Sequence, residues 1–231
     1  MKDNCNILGV FAKRPSVGLG KTRLAESTSP AWAQRVAEAF LEDSFDRFAQ
    51  VGASRTIVYA PAEATVFFAQ LADERFELIA QEAGDLGQRL QHFFGHARTQ
   101  GFSRIAAVGS DSPTLPIAYI EEAFRLLETH DVVIGPAFDG GYYLIGSSST
   151  VITLFDAIPW STARVLEATV ERVHAASATL ALLPPWYDVD RLDDWAMLRG
   201  HVRSMRQAGL DPGVPRVERL MLEETAAGIA R

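Results

Sequence analysis

The 231-residue chain has a single cysteine, Cys5. No disulfide can form within it, no thiolate metal cluster can be assembled, and Cys5 reads as an incidental residue near the first expected strand. Long apolar runs are also missing. None approaches the roughly 20 residues of a membrane-spanning helix. The opening Met1-Lys2-Asp3-Asn4-Cys5-Asn6 lacks the apolar core of a signal peptide. The expectation is a cytoplasmic protein with no membrane span. Positive charge is in deficit, with 22 Lys and Arg against 29 Asp and Glu and a formal net charge of -7. That disfavours a nucleic-acid binder steered by overall charge but leaves room for local basic pockets. There is no internal repeat or low-complexity tract to indicate a solenoid or an array.

What is present is apolar residue in quantity, 48% of the chain, enough for one large α/β domain with its own core. We expect a single domain over residues 1–231, with a helical extension from about residue 200. The sharpest local signal is Arg104-Ile105-Ala106-Ala107-Val108-Gly109-Ser110-Asp111-Ser112-Pro113. A short apolar run bounded by Gly and Pro reads as a buried parallel strand, and the prolines stop it. Asp111 then falls at the strand's carboxyl end, where open α/β sheets bind ligands. The blander alternative is an Asp that caps a following helix over Ile117 to His130.

The first strand, Asn6 to Ala12, runs into Lys13-Arg14-Pro15 and then Gly18, Gly20, Lys21 and Arg23. Glycine-freed N–H groups beside cations make an anion cradle. Gly20-Lys21-Thr22 looks like the end of a P-loop, but Pro15 stands where that pattern requires glycine. A solvated basic loop is the other reading. Pro30 to Gln50 carries Trp32, Val36, Phe40, Phe45 and Phe48 at helical spacing and is expected to cover the sheet. Strands follow at Arg55 to Ala60 and Phe76 to Ala80, separated by a helix over Ala62 to Ala72, so a β–α alternation is established.

Gly84 leads into a helix that Asp85 can cap, with Arg89 one turn inside it. His92 and His96 lie i,i+4 on that helix without the acid of a metalloprotease pattern, so no metal site is expected there. A strand over Asp131 to Pro136 enters Ala137-Phe138-Asp139-Gly140-Gly141-Tyr142-Tyr143. Paired glycines permit close approach to a ligand or a hairpin turn, and both readings stand. Trp160 sits beside a helix N-cap expected at Ser161 or Thr162, and a core role is the alternative. After a last strand over Thr179 to Leu183, Asp188-Val189-Asp190 precedes a helix from about Leu192. A Gly/Pro break at Gly209 to Pro215 and a final helix through Arg231 complete the chain.

Taken together, these segments resemble the DUF2064 family, a group described as glycosyltransferases and associated with arsenosugar biosynthesis. The resemblance rests on Phe11-Ala12-Lys13-Arg14-Pro15 with Lys21-Thr22-Arg23-Leu24, then Gly84-Asp85-Leu86-Gly87-Gln88-Arg89 and Gly109-Ser110-Asp111-Ser112-Pro113. It continues through Gly135 to Tyr143, Ile158-Pro159-Trp160-Ser161-Thr162 and Asp188-Val189-Asp190. Departures from the family pattern are Ser112 in place of Cys, Phe138 in place of an acid, and Arg191-Leu192-Asp193-Asp194-Trp195 in place of a Thr-Pro-Glu-Asp-Leu ending.

The resemblance implies a GT-A-like fold, a Rossmann-type three-layer α/β sandwich of the nucleotide-diphospho-sugar transferase kind with a mostly parallel central sheet. It also implies a nucleotide-diphosphate-sugar donor, a small-molecule acceptor and a divalent cation, Mg²⁺ or Mn²⁺. On this reading Phe11, Ala12, Gly84 and Asp85 hold the nucleoside. Lys13, Arg14, Lys21, Arg23 and Arg89 meet the phosphates. Asp111 and Asp190 carry the metal, Asp139 with Asp111 serves catalysis, and Gly140, Gly141, Tyr142 and Trp160 line the substrate pocket. The layout is similar to small-molecule nucleotidyltransferases too, including phospholactate guanylyltransferases, and fold alone does not separate the two chemistries. A non-catalytic nucleotide-binding module is the lesser alternative. Oligomeric state is left open, a dimer included.

Overall fold

In the computed structural model, which describes residues 5–18, 20–148 and 153–226, the expected alternation appears as seven strands and eight α-helices. The strands are β1 (Asn6–Lys13), β2 (Ser54–Ala60), β3 (Glu77–Ala80), β4 (Arg104–Gly109), β5 (Val132–Pro136), β6 (Tyr142–Ser148) and β7 (Leu180–Leu182). The helices are α1 (Thr22–Ser27), α2 (Pro30–Phe48), α3 (Thr65–Ala72), α4 (Leu86–Thr99), α5 (Ile117–Leu126), α6 (Val165–Ala175), α7 (Leu192–Gln207) and α8 (Pro215–Ala226). Leu19 of the basic loop and residues 227–231 of the expected last helix lie outside the described residues.

The chain divides into two compact units. One comprises Met1–Arg14, Ala49–Gly109 and Pro116–Tyr187; the other comprises Pro15–Phe48, Ser110–Leu115 and Asp188–Arg231. The first holds the whole sheet, in the order β3-β2-β1-β4-β6-β5-β7. All pairings are parallel except those of β6, which runs antiparallel to both β4 and β5. This is an α/β fold with a mostly parallel sheet, and its strand order reverses between β1 and β4, the place where such sheets bind ligands.

The face carrying Ile7, Ile105, Ala107, Ile134 and Ile145 is covered by Leu90, Phe93, Phe94 and Ala97 of α4 and by Val173 of α6. On the opposite face, Leu127 at the end of α5 reaches Gly146 and its neighbour Ala106. Burying side chains of this size contributes roughly 1.5–3 kcal/mol each. Gly9 of β1 is required by contact: a Cβ there would meet the Phe93 ring at 2.4 Å, so the bare strand lets the ring lie against the backbone.

The second unit is helical. Trp195 of α7 is fully buried, stacked on Phe40 (6.2 Å, 23°) and edge-on to Trp32 (5.9 Å, 87°), both from α2. α8 packs along α2, and Val217, Leu220 and Met221 are buried. Its first turn is fixed by Asp43, a wholly buried carboxylate that accepts from the Arg216 and Val217 backbone N–H groups at 3.0–3.3 Å.

Several boundaries differ from the sequence expectation. The helix expected over Ile117 to His130 ends at Leu126. That expected from Ala62 begins as a 3₁₀ turn, Ala62–Ala64, before α3. The N-cap of α6 is Arg164 rather than Ser161 or Thr162. Thr162 Oγ1 instead accepts from the Arg164 N–H at 3.2 Å, just outside the helix.

Candidate functional site

β1, β2, β3, β4 and β5 all run in the same direction, so their carboxyl ends share one edge of the sheet unit. Three groups of the sequence-designated residues lie on that edge. Phe11, Ala12 and Lys13 end β1. Arg14 follows, its N–H donating to Ala60 at 2.7 Å and its guanidinium lying 5.2 Å from the Phe67 ring centroid. Gly84, with φ 123°, leads into α4, where a Cβ would strike the Gln88 amide at 2.2 Å. Asp85 caps that helix reciprocally: its carboxylate accepts from the Gln88 N–H at 2.9 Å, and the Gln88 side chain accepts from the Asp85 N–H at 3.0 Å.

Gln81, which the sequence reading did not single out, ties this edge together. Its amide donates to the Val58 carbonyl at 2.7 Å and to the Ala12 carbonyl at 3.4 Å, and its oxygen accepts from Arg89 at 3.2 Å. The signal available in sequence was a polar amide immediately after the last residue of a strand. Arg89 keeps a buried Nε with no hydrogen-bond partner among the described residues, a donor left for something else to satisfy.

The third group is the β5–β6 hairpin. Asp139 Oδ1 accepts from the Gly141 N–H at 2.8 Å, so one carboxylate oxygen serves the turn. Gly140, at φ 90°, passes so close to Ala163 that a Cβ would lie 2.2 Å from its carbonyl oxygen. Tyr142 is edge-on to Trp160 at 6.4 Å, and burial pushes its phenol pKa up. Trp160 in turn presses on α4, since a Cβ on Gly87 would sit 2.7 Å from its indole nitrogen.

The remaining residues, Lys21, Arg23, Asp111 and Asp190, come together in the helical unit. Asp111 does not cap α5, whose N-cap is Pro116 without a side-chain bond. It accepts instead from Lys21 Nζ at 2.6 Å. The same ammonium donates to the Val189 carbonyl at 2.7 Å, lies 3.9 Å from Asp190 Oδ1, and sits 4.8 Å from the Phe40 ring centroid. The Val189 N–H closes the set by donating to the Asp111 carbonyl at 3.1 Å. Lys21 holds this position in a left-handed conformation, φ 45° and ψ 46°, which costs a non-glycine residue about 1–2 kcal/mol and persists only where the surroundings enforce it.

The cluster has a buried side and an open side. The Lys21 side chain is 4% exposed, whereas those of Asp111 and Asp190 are 55% and 36% exposed. Arg23, 51% exposed, reaches Asp190 Oδ2 at 3.3 Å. Burial holds the Asp190 carboxyl above its ordinary pKa, against the lowering pull of Lys21 and Arg23. Asp194 completes the local frame by accepting from the Asp190 and Arg191 N–H groups at 3.0 and 2.8 Å. It thus supplies the turn bonds at the start of the Arg191–Trp195 segment, which departs from the family pattern.

A family described as "Uncharacterized protein conserved in bacteria (DUF2064)" matches residues 44–162. The crystal structure of a "putative nucleotide-diphospho-sugar transferase" from Desulfovibrio desulfuricans G20 is 32% identical, with 96% of each chain covered and a TM-score of 0.88. The chain belongs to the DUF2064 family.

Among more distant folds, this DUF2064 protein superposes on a cytidylyltransferase from Leptospira borgpetersenii (12% identity, 97% and 95% of the two chains, TM-score 0.58). It also superposes on Rv0371C of Mycobacterium tuberculosis H37Rv in complex with manganese (16% identity, 83% and 97%, TM-score 0.52). At such identities the likeness is one of fold. No curated protein matches the DUF2064 chain in sequence. No helix among its described residues is long and apolar enough to cross a membrane.

The donor set fits a hard divalent cation. Among the described residues no three or more His, Cys, Asp or Glu residues are arranged to hold a metal ion, but Asp111 and Asp190 bring two part-exposed carboxylates into one cluster. Mg²⁺ keeps several waters and is commonly bound by one or two carboxylates together with substrate phosphates.

Proposed function

We propose that this protein is a transferase acting on a nucleotide-activated substrate, and specifically a glycosyltransferase using a nucleotide-diphosphate-sugar donor. Asp111 and Asp190 would hold a divalent cation. The observation that carries the reading is the pair of solvent-facing carboxylates fixed from the buried side by Lys21 and flanked by the exposed Arg23. Such a constellation at the ends of sheet-derived loops suits a diphosphate far better than a neutral substrate.

A cation on Asp111 and Asp190 would supply charge against the diphosphate as it leaves. Arg23 offers a phosphate contact beside them, and a guanidinium suits this through its paired donors. Nucleoside recognition falls to the backbone around Phe11 and Ala12 and to Gly84 and Asp85, with Arg89 beside them. The unpaired Arg89 Nε supports its having a polar ligand. Asp139 has Oδ2 outside its turn bond and is the proposed base. It would take the proton of the acceptor hydroxyl as the new glycosidic bond forms and the sugar–phosphate bond breaks. Gly140, Gly141, Tyr142 and Trp160 shape the pocket beside it.

Nucleotidyl transfer is the second reading, favoured by the fold shared with a cytidylyltransferase over nearly the whole of both chains. In that case an acceptor phosphate attacks the α-phosphorus and pyrophosphate leaves. Thermal shift with nucleotide sugars and nucleoside triphosphates, each with and without Mg²⁺ or Mn²⁺, tests both. A ligand at 100 times its dissociation constant adds about 2.7 kcal/mol of stability. For any ligand that binds, release of a nucleoside diphosphate marks glycosyl transfer and release of pyrophosphate marks nucleotidyl transfer. Absence of binding across the set overturns the proposal.

A further inference from the structure

Within the sheet unit, the segment from Phe155 to Leu166 touches two parts of the candidate site at once. One end is anchored by Phe155, which is buried with its ring centroid 5.2 Å from that of Phe94 on α4. The segment then crosses the first turn of α4 at Gly87, where a Cβ would lie 2.7 Å from the Trp160 indole nitrogen and 2.8 Å from the Phe155 carbonyl oxygen. Its other end meets the β5–β6 hairpin. The Leu166 N–H donates to the Gly140 carbonyl at 2.9 Å, Gly140 runs against Ala163, and the Trp160 ring stands edge-on to Tyr142. The turn gripped in this way is the one that Asp139 closes through the Gly141 N–H.

The segment is strained on both sides of Trp160. Ala157 (φ 54°) and Ser161 (φ 64°) are left-handed, a conformation unfavourable to any residue with a Cβ and kept only where the surroundings enforce it. Both side chains are exposed, so their own burial does not offset the strain. What the two bends set is the place of Trp160 between them. Resting on the reading of Gly84 and Asp85 as nucleoside contacts and of Asp139 as the base, we propose that Trp160 is a positioning residue. It is the strut between the capped start of α4 and the Asp139 turn, and through it a nucleotide that orders Gly84 and Asp85 also steadies the base. Trp160 needs no contact with substrate for this. A base works only within hydrogen-bond reach of the proton it takes, and a misplacement of about 1 Å can cost roughly 10²-fold in rate.

Hydrogen–deuterium exchange on the full-length protein tests this, read over residues 84–90 at the start of α4, 137–143 at the hairpin and 104–109 in β4 as the reference for global stability. Trp160→Ala should speed exchange over 137–143 by at least about tenfold with β4 unchanged, because local opening follows local contacts. Trp160→Phe keeps a ring for Tyr142 and should restore most of the protection. Gly87→Ala, which favours the helix but pushes Trp160 from the α4 side, should loosen the same hairpin. Unchanged exchange over 137–143 in Trp160→Ala and Gly87→Ala, or a rise shared equally by β4, would overturn the strut. A second arm adds UDP, GDP, CDP or ADP. In wild type a nucleotide that slows exchange over 84–90 should slow it over 137–143 too, and in Trp160→Ala over 84–90 alone. Protection of both stretches in Trp160→Ala, or of 84–90 alone in wild type, would overturn the steadying of Asp139. No protection over 84–90 with any of the four would overturn the nucleoside reading instead, and the strut is still decided by the first arm.

Discussion

The helical unit contains two ionic clusters built from the same residue types and put to different use. In one, Arg216 is ringed by Glu42, Asp43 and Asp46 at 2.6–3.0 Å, and Asp43, wholly buried, also accepts from the Arg216 and Val217 N–H groups. Both oxygens of the buried Asp43 face donors fixed by the fold, so the cluster staples α8 to α2. In the other, Lys21 secures Asp111 and Asp190 from beneath while both carboxylates remain open to solvent. The difference is how many lone pairs the protein itself occupies. A saturated carboxylate is structural, and an under-used one is available to a ligand.

The largest expected effect separates the two directly. Asp43→Ala leaves two helix N–H groups and part of the Arg216 guanidinium without their partner, and should lower unfolding free energy by about 2–4 kcal/mol. Urea denaturation checks this, and metal-dependent nucleotide binding by the folded variant should be unchanged. A loss below about 1 kcal/mol would remove Asp43 from the staple. Asp111→Asn should behave in the opposite sense. Its stability should change less than that of Asp43→Ala, while metal-dependent nucleotide affinity falls by about 10²-fold, the equivalent of about 2.7 kcal/mol. Retained affinity would end the metal assignment.

A pH series sharpens the comparison further. Burial holds the Asp43 carboxyl above its ordinary value, against the lowering influence of the Val217 and Arg216 bonds. The folded state thus binds this proton more readily than the unfolded chain. The proton-linked part of Asp43's contribution is fully present below the unfolded carboxylate pKa and is lost as pH rises through the raised one, while its hydrogen bonds to α8 remain. Asp43→Asn removes the titration, so the stability difference between variant and wild type should shift in the variant's favour from about pH 4 to pH 7. A flat difference across that range would show that Asp43 does not titrate with folding. The smallest effect belongs to Glu42→Gln. Asp43 and Asp46 still neutralise Arg216 and Glu42 is partly exposed, so the cost should stay within about 0.5 kcal/mol by chemical denaturation.

Much of the sheet unit was legible residue by residue. The run Arg104–Gly109, the stop at its prolines and the Asp85 cap followed from local rules, because buried strands and helix starts depend on neighbours within a few positions. Where local rules competed, the structure chose. Asp139 is engaged in its own hairpin turn and keeps one oxygen clear of it, while Asp111, equally plausible as a cap, is not one. Gln81 escaped notice because its partners, Ala12 and Val58, lie on two other strands.

By itself the sequence determined the α/β alternation, the order of elements and the family, since periodicity, turn residues and a long series of short motifs are properties of the chain read in one dimension. It also nominated Lys21, Arg23, Asp111 and Asp190 one at a time. Only the tertiary structure decided that Lys21 lies 2.6 Å from an acid 90 positions away and that Arg23 meets one 167 positions away. It alone decided which cation is buried and which is exposed. Such pairings depend on chain paths closing in three dimensions, and burial, which turns a charge from a solvated ornament into a fixed counter-ion, is a property of the packed fold that no stretch of sequence carries.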